Sequence, residues 1–350
     1  MKYAEAKQKK IESFDVNGIG ADNGQLFGLP FNYEESEMII LPIPWEVTVS
    51  YKAGSAKGPD AILEASKQTD LYDHDLPDAW QRGIFMLQSP AEWNKKNVTL
   101  RRKAAEYIRL LESGNAGNMQ DALSEINAEC EGLRKWIFEQ TTTLLKEGKI
   151  VGLLGGDHST PLGYMQACGQ HYGEFGLLHI DAHADLREAY EGFKYSHASI
   201  MYNALQIPQL KKLIQVGLRD VCQAEIDIIA KEKEKISAFH FHEIKNKMHT
   251  GSSWKNVCDE IINALPQQVY ISFDIDGLDP KLCPNTGTPV PGGFEMDEVI
   301  FLMRSLVDAG KTIIGFDLVE VAPGNDEWDG NVGARLLLKM CNLTLKSNGK

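Results

Sequence analysis

The sequence predicts an α/β fold, in which helices cover both faces of a mostly parallel β-sheet. The first observation is a series of short apolar runs, each the length of one buried strand, at 150–154, 175–180, 213–218, 236–241, 269–273 and 312–318. The second is that segments of helical character lie between these runs, for example at 224–235, 254–265 and 296–308. Such alternation is typical of parallel sheets, because each crossover between parallel strands is usually made by a helix that packs on the sheet.

The amino-terminal half fits the same scheme. An apolar run at 38–44 predicts a buried strand that proline ends, and a helix is expected at 60–66. The stretch 92–147 is expected to be mostly helical, with a loop at 114–117. Its later part, from 120 to 146, places apolar residues at helical spacing on one face, namely Ile126, Cys130, Leu133, Ile137, Leu144 and Leu145.

The chain of 350 residues, 43% of them hydrophobic, is long enough to bury one large core. No linker, internal repeat or low-complexity tract divides it. Residues 1–37 are polar and contain several glycines, so they are expected to form an amino-terminal extension or arm. Residues 38–350 are expected to form a single domain.

Composition excludes several classes of function. The formal net charge of −13 argues against nucleic acid or an anionic membrane as the main partner, and it weakly favours a cationic substrate. Six scattered cysteines without a C-x-x-C pair indicate reduced thiols. Because no signal peptide or apolar stretch of membrane-spanning length is found, a cytoplasmic protein is expected.

Polar residues follow three of the predicted strands, at the end of a parallel sheet where ligands usually bind. The first group is Gly155-Gly156-Asp157-His158-Ser159, after the run at 150–154. Its two glycines allow the backbone to turn sharply and leave His158 at the rim of the sheet. A histidine in a glycine-rich loop is often only structural, so this group alone does not define a site.

The second group, Asp181-Ala182-His183-Ala184-Asp185, follows the run at 175–180. In an extended chain Asp181, His183 and Asp185 would point to one side. Aspartate and histidine suit Mn²⁺, Fe²⁺, Ni²⁺ or Zn²⁺. The alternative is a hydrogen-bonded polar strand end, but three ionisable groups brought together without a cation would be costly to desolvate.

The third group follows the run at 269–273 and contains Asp274 and Asp276. Paired carboxylates would have strongly raised pKa values unless a metal compensates them, although they could instead cap helix N-termini. Together the three groups supply four aspartates and two histidines, which suits two ions that share carboxylates. Two such ions ionise a shared water near neutral pH, and the absence of a G-x-S-x-G motif agrees with a reaction that needs no side-chain nucleophile.

In this order, from about Met38 to Leu343, the three groups resemble the signatures of the ureohydrolase family, which includes arginases, agmatinases, guanidinobutyrases and formiminoglutamases. The resemblance implies a three-layer α/β/α sandwich, two Mn²⁺ ions per subunit, and a homotrimer or homohexamer. It places His158, Asp181, Asp185 and Asp274 on one ion. It places Asp181, His183, Asp274 and Asp276 on the other, so that Asp181 and Asp274 bridge the pair.

The resemblance also implies catalytic roles. His197, in the segment 195–199, is similar to the family's proton shuttle and would protonate the leaving amine. Glu320 would bind the guanidinium group through paired hydrogen bonds, and Thr288 resembles a residue of the loop that supports the same group. Asp185 would orient the attacking hydroxide.

Departures from the family pattern indicate the subgroup. Arg187 and Cys222 occupy positions where arginases have an asparagine and an aspartate for the α-amino acid head group. Agmatine is therefore the expected substrate. The segment 325–331 departs from agmatinases and leaves a nickel-dependent guanidine hydrolase as an alternative, together with an arginase or a non-catalytic metal-binding homologue. A single-metal deacetylase of related architecture would need fewer carboxylates than this chain supplies.

Overall fold

The architecture was obtained from a computed structural model, which describes residues 2–115, 117 and 119–349. Eight strands were found in this part of the chain. They are β1 (Met38–Ile43), β2 (Ile84–Met86), β3 (Ile150–Gly155), β4 (Phe175–Ile180), β5 (Leu210–Leu218), β6 (Ile236–His240), β7 (Gln268–Asp274) and β8 (Thr312–Val319). They form one sheet in the order β2-β1-β3-β8-β7-β4-β5-β6, and every pairing is parallel.

The central strands are apolar on both faces because helices cover both sides of the sheet. All six residues of β1 and of β4 are buried, which matches their continuous apolar sequences MIILPI and FGLLHI. Every pairing between neighbouring strands has a defined register, for example Met38 opposite Ile150 and Ile180 opposite Phe273. The sheet therefore provides a fixed frame for the loops at its edge.

The described residues contain eleven α-helices: α1 (Lys2–Ser13), α2 (Gly58–Ser66), α3 (Ala91–Glu112), α4 (Gln120–Lys146), α5 (Leu162–Tyr172), α6 (Ile200–Ala204), α7 (Gln223–Lys231), α8 (Phe241–His249), α9 (Trp254–Asn263), α10 (Met296–Asp308) and α11 (Trp328–Asn348). Two core clusters show how they are layered. One packs α2 and α8–α11 on one face of the sheet, and the other packs α3–α7 on the opposite face. The three-layer α/β/α sandwich predicted from the sequence is confirmed.

The strand order brings distant parts of the chain together. The chain builds one side of the sheet with β1–β3 and the other with β4–β6, and then β7 and β8 fill the centre between β3 and β4. The carboxyl ends of β3, β8, β7 and β4 therefore lie side by side. These are the strands that carry the polar groups identified in the sequence.

The amino-terminal segment is not purely polar. Leu26, Phe27, Leu29 and Phe31 are all buried, and the ring of Phe31 lies 6.3 Å from that of Trp80. Residues 26–31 therefore pack as part of the core. The division of the chain at residue 37 stays a prediction.

Most predicted elements are present, with shifted ends. The helix at 296–308 has the predicted bounds, whereas those expected at 224–235 and 254–265 end earlier, at Lys231 and Asn263. The stretch 92–147 contains two helices, and the predicted loop at 114–117 falls between them, with Ala116 outside the described residues. The strand β2 was not predicted because it has only three residues. Among the described residues no helix is both long and apolar enough to cross a bilayer.

Candidate metal centre

The predicted ligands meet at the carboxyl edge of the sheet. His158 lies in the loop after β3, Asp181 directly follows β4, and Asp274 is the last residue of β7. All three are almost completely buried. The fold thus places side chains separated by more than a hundred positions within contact distance of one another.

One cluster forms around the ring nitrogen Nδ1 of His158. Carboxylate oxygens of Asp181, Asp185 and Asp274 lie 3.1, 3.2 and 3.2 Å from it. This buried nitrogen has no hydrogen-bond partner among the described residues. An unpaired imidazole nitrogen that faces three carboxylates is the donor set expected around a divalent cation.

A second cluster lies beside the first. Nδ1 of His183 is 3.1 Å from Oδ2 of Asp276 and 3.4 Å from Oδ1 of Asp181. The two oxygens of Asp181 therefore face different clusters, since Oδ2 points to His158. Oδ1 of Asp274 accepts a hydrogen bond from the backbone amide of Asp276 at 2.8 Å, which leaves its Oδ2 facing the first cluster. Oδ1 of Asp181 likewise accepts from the amide of His183, at 2.6 Å, but of these two aspartates it is Asp181 whose oxygens contact the histidines of both clusters.

The electrostatics of the clusters fit bound cations. Burial, together with the neighbouring Asp181 carboxylate, raises the pKa of Asp185 to about 6. Burial and the carboxylates of Asp276 and Asp181 raise the pKa of Asp274 well above its usual range. Two positive ions would remove this repulsion, so the residues present fit a binuclear centre.

A hydrogen-bond chain fixes the ring of His158. Its Nε2 lies 2.8 Å from Oγ of Ser272, and that hydroxyl donates to Oδ1 of the buried Asp317 at 3.0 Å. Because the Ser272 hydroxyl donates its proton to Asp317, its oxygen accepts a hydrogen bond from Nε2–H of His158. The proton is therefore on Nε2, and Nδ1 keeps its lone pair for a cation.

Two contributing residues were missed in the sequence. His179 places Nε2 2.8 Å from Oδ2 of Asp181, and the side-chain amide of Gln215 donates to Nδ1 of His179 at 3.0 Å. The same amide nitrogen donates to the carbonyl of Ala184 at 2.7 Å, which identifies it as the NH₂ group. His179 therefore donates from Nε2 to Asp181. Its position two residues before Asp181 in β4 was the available signal, because alternate residues of a strand share a face.

The expectation of an extended segment from Asp181 to Asp185 is wrong at its end. Asp185 has φ of +54°, in the left-handed region, and so leaves the alternating pattern. Its carbonyl accepts hydrogen bonds from the amides of Met201 and Tyr202 at the start of α6, at 3.0 and 3.1 Å. This conformation turns the carboxylate to His158, whereas His183 faces the other cluster.

Glu320 also has a left-handed backbone, with φ of +63°. Its amide donates to the carbonyl of Gly156 at 2.7 Å, and its carbonyl accepts from Oγ1 of Thr286 at 2.9 Å. Its Oε1 accepts a hydrogen bond from the amide of His158 at 2.9 Å. Burial and the Asp157 carboxylate raise the pKa of Glu320 well above its usual range. A non-glycine residue held in this conformation is typical of functional sites.

The remaining two predicted site residues lie around the same space. Oγ1 of Thr288 is 3.4 Å from Oδ2 of Asp276. The amide of His197 donates to Oγ1 of Thr48 at 3.2 Å, and its Nε2 is 3.5 Å from Oγ of Ser50. Burial lowers the pKa of His197 to about 3, so its imidazole is neutral at pH 7. Neighbouring cations would lower this pKa further.

These side chains surround a cavity of about 220 Å³. Its inner wall contains His158, His183, Asp185, His197, Asp274, Thr288 and Glu320. The other lining residues, of which all but Glu225 are partly or fully exposed, are called the outer wall here: Ser50, Arg187, Tyr190, Ala198, Asp220, Val221, Cys222 and Glu225. The cavity thus joins the two clusters to the surface and has the size of a small-molecule site.

The comparisons with known proteins agree with this geometry. Residues 36–342 match the model of the family described as "Arginase family". The chain belongs to the arginase family. The ureohydrolase family predicted from the sequence is therefore confirmed, and so is the predicted enzyme class, a hydrolase of C–N bonds in linear amidines.

Several arginase-family relatives are similar over most of the chain. An N(1)-aminopropylagmatine ureohydrolase of Thermus thermophilus is 32% identical over 291 residues, which are 83% of this chain and 84% of the relative. An agmatinase of Neisseria meningitidis is 27% identical over 339 residues, which are 93% and 94% of the two chains.

Solved structures share the fold. The agmatine ureohydrolase of Thermoplasma volcanium has a TM-score of 0.71 at 23% identity, with 97% of this chain and 98% of that chain covered. The arginase of Bacillus subtilis has a TM-score of 0.62 at 23% identity, with 90% and 99% covered. At this identity the two structures support the sandwich fold alone.

Proposed function

We propose that this chain hydrolyses the guanidino group of a small cationic guanidino compound, with agmatine as the leading substrate and urea and putrescine as products. The observation that carries the proposal is the pair of clusters that share Asp181, placed in one cavity with the buried carboxylate of Glu320. Two relatives are named for the hydrolysis of agmatine or of its aminopropyl derivative, which fits this assignment.

We propose two Mn²⁺ ions per subunit, with Ni²⁺ as the alternative. His158 and Asp185 would hold one ion, His183 and Asp276 would hold the other, and Asp181 and Asp274 would contact both. When bound, such a pair polarises the group under attack and ionises a shared water near neutral pH. The unpaired Nδ1 of His158 and the facing carboxylates support this assignment.

The chain's own residues then bind the substrate and move its protons. Glu320 is buried in the cavity wall and would accept hydrogen bonds from the planar guanidinium cation, whose positive charge favours the ionised form of this carboxyl group. Asp185 accepts a hydrogen bond from the attacking oxygen and orients it. His197 is neutral at rest, so it would first accept the proton that the attacking oxygen gives up and then donate that proton to the amine nitrogen as the C–N bond breaks.

The residues of the outer wall help to choose between agmatine, arginine and free guanidine as the substrate. Arg187 and Cys222 line the cavity, and Cys222 stands where arginases have the aspartate for the α-ammonium, so at this position the α-ammonium of arginine would meet a thiol instead of a carboxylate. An ammonium group buried without a partner costs several kcal/mol, so arginine is expected to be a poor substrate. The cavity of about 220 Å³ is lined by Glu225 as well as by Glu320 and so has room for more than a guanidinium group, which favours agmatine over free guanidine.

A substrate panel tests the proposal. Urea release should be measured with agmatine, aminopropylagmatine, arginine, 4-guanidinobutanoate and guanidine, each with Mn²⁺ or Ni²⁺. Agmatine or its aminopropyl derivative with Mn²⁺ is expected to give the highest kcat/KM. Glu320→Gln should keep both metals and lose most urea release. Higher kcat/KM on guanidine with Ni²⁺ would replace the leading substrate with the alternative, and no urea from any compound would overturn the proposal.

We also propose that residues 38–350 form one catalytic domain, that residues 1–37 form an extension packed on it, and that the chain assembles as a homotrimer or homohexamer. The buried side chains of Leu26 and Phe31 support the packed position of the extension. Light scattering on the full chain tests the assembly, and a monomer at micromolar concentration would contradict it.

A further inference from the structure

Asp220 lies at the outer wall of the cavity, beside the second cluster. Its backbone pairs with that of His183 as an isolated β-bridge, and its amide donates to the carbonyl of Ala182 at 3.2 Å. Its carboxylate lines the cavity, and the residue is exposed to solvent. The backbone bridge thus keeps Asp220 beside His183, whose ring faces the second cluster.

Arg219, the cationic residue next to Asp220 in the chain, is hydrogen-bonded to other groups. The guanidinium of Arg219 donates to the backbone carbonyls of Asp276, Leu278 and Val290 at 2.6, 3.2 and 3.1 Å. Arg219 therefore stabilises the loop after β7, and its positive charge does not pair with the Asp220 carboxylate. No cationic side chain in residues 2–115, 117 and 119–349 lies within 4.0 Å of the Asp220 carboxylate.

The other charges of the outer wall offset each other. The guanidinium of Arg187 lies 4.6 Å from the ring centre of Tyr190, and its Nε is 4.0 Å from Oε2 of Glu225. Glu225 is buried and accepts hydrogen bonds from two backbone amides, those of Leu186 and Cys222. Arg187 and Glu225 together contribute no net charge. The net charge of the outer wall is therefore about −1, and it comes from Asp220.

We infer that Asp220 is a specificity-determining residue, which binds a second cationic group at the far end of the substrate's tail. The inference rests on the proposed function, because it names the class of guanidino compound that this site prefers. It selects tails that end in an ammonium over tails that end in a neutral group or a carboxylate. It also predicts that the diamine product binds in the same place.

Substrates matched in length test the inference. Agmatine, butylguanidine and 4-guanidinobutanoate share the guanidino group and differ in the charge of the tail. Asp220→Asn should lower kcat/KM for agmatine about threefold to tenfold, mainly through KM, as expected for loss of a partly exposed charge pair. The value for butylguanidine should stay within twofold. Asp220→Glu should restore part of the agmatine value.

Glu188→Gln is the matched control, since Glu188 is exposed and follows the cavity-lining Arg187 in the chain but does not itself line the cavity. It should leave the ratio of agmatine to butylguanidine unchanged. An equal loss of kcat/KM for agmatine and butylguanidine in Asp220→Asn would overturn the inference. No loss of kcat/KM for agmatine would overturn it as well.

A binding measurement separates this inference from the proposed function. Calorimetry of the metal-loaded protein with 1,4-diaminobutane and with 1-aminobutane needs no turnover. Weaker binding of the diamine to Asp220→Asn than to wild type, with the monoamine unchanged, supports the cation site even if no compound releases urea. Equal binding of the diamine to both proteins contradicts the cation site even if agmatine is hydrolysed.

Discussion

Asp185→Asn should stabilise the metal-free protein, although the residue is a proposed metal ligand. Burial and the Asp181 carboxylate raise the pKa of Asp185 to about 6 from a reference value of 3.8. A carboxyl group whose pKa is higher in the folded state destabilises the fold increasingly as the pH rises from the unfolded pKa to the folded pKa, and fully above the latter, because ionisation is easier in the unfolded chain. Asparagine is similar in shape, carries no charge and tolerates the left-handed backbone found here at φ of +54°.

The size of the effect follows from linkage. At about 1.36 kcal/mol per pKa unit, the shift corresponds to about 3 kcal/mol of lost stability at pH 7.5 and about half of that at pH 5. For 350 residues the entropy of unfolding is about 0.7 kcal/mol/K, so the substitution should raise Tm by about 4 °C at pH 7.5 and about 2 °C at pH 5. Both values refer to protein stripped of metal.

Differential scanning calorimetry measures these shifts, and Asp70→Asn, at an exposed position, is the control for removal of a surface charge. With Mn²⁺ present the order should reverse, since bound metal stabilises the wild type more than a variant that has lost a ligand. A metal-free variant no more stable than wild type at pH 7.5 would refute the reasoning. A gain in Tm that is as large at pH 5 as at pH 7.5 would also refute it.

Three further outcomes are expected. Asp181→Ala should reduce bound metal from two ions to none in elemental analysis, because its two oxygens face both clusters, and retention of one tightly bound ion would contradict this. His197→Ala should keep both metals while kcat falls about 10²- to 10⁴-fold, and a loss of only a few-fold would remove it from proton transfer. Gln215→Leu should weaken metal binding in a competitive chelator titration about 10- to 100-fold, because His179 loses the amide that fixes its tautomer, and unchanged affinity would count against that role.

Several elements followed from local sequence. Continuous apolar runs marked the strands that are buried on both faces, and the helix at 296–308 had the predicted bounds. Weak local signals were missed, such as the three-residue strand β2. The buried core contribution of residues 26–31 was also missed, because the apolar residues there are interspersed with glycine and proline and have no regular period.

The sequence by itself determined the fold class, the family and the set of charged residues near the carboxyl edge of the sheet, since motif order and apolar periodicity are local properties of the chain. Only the tertiary structure decided how those residues are divided between the two clusters. The left-handed backbone at Asp185 separates its carboxylate from His183, and Gln215 reaches His179 only because β5 lies beside β4. The unpaired charge of Asp220 likewise depends on where Arg219 finds carbonyl partners in the loop after β7. Such contacts join residues far apart in the chain, so no local pattern encodes them.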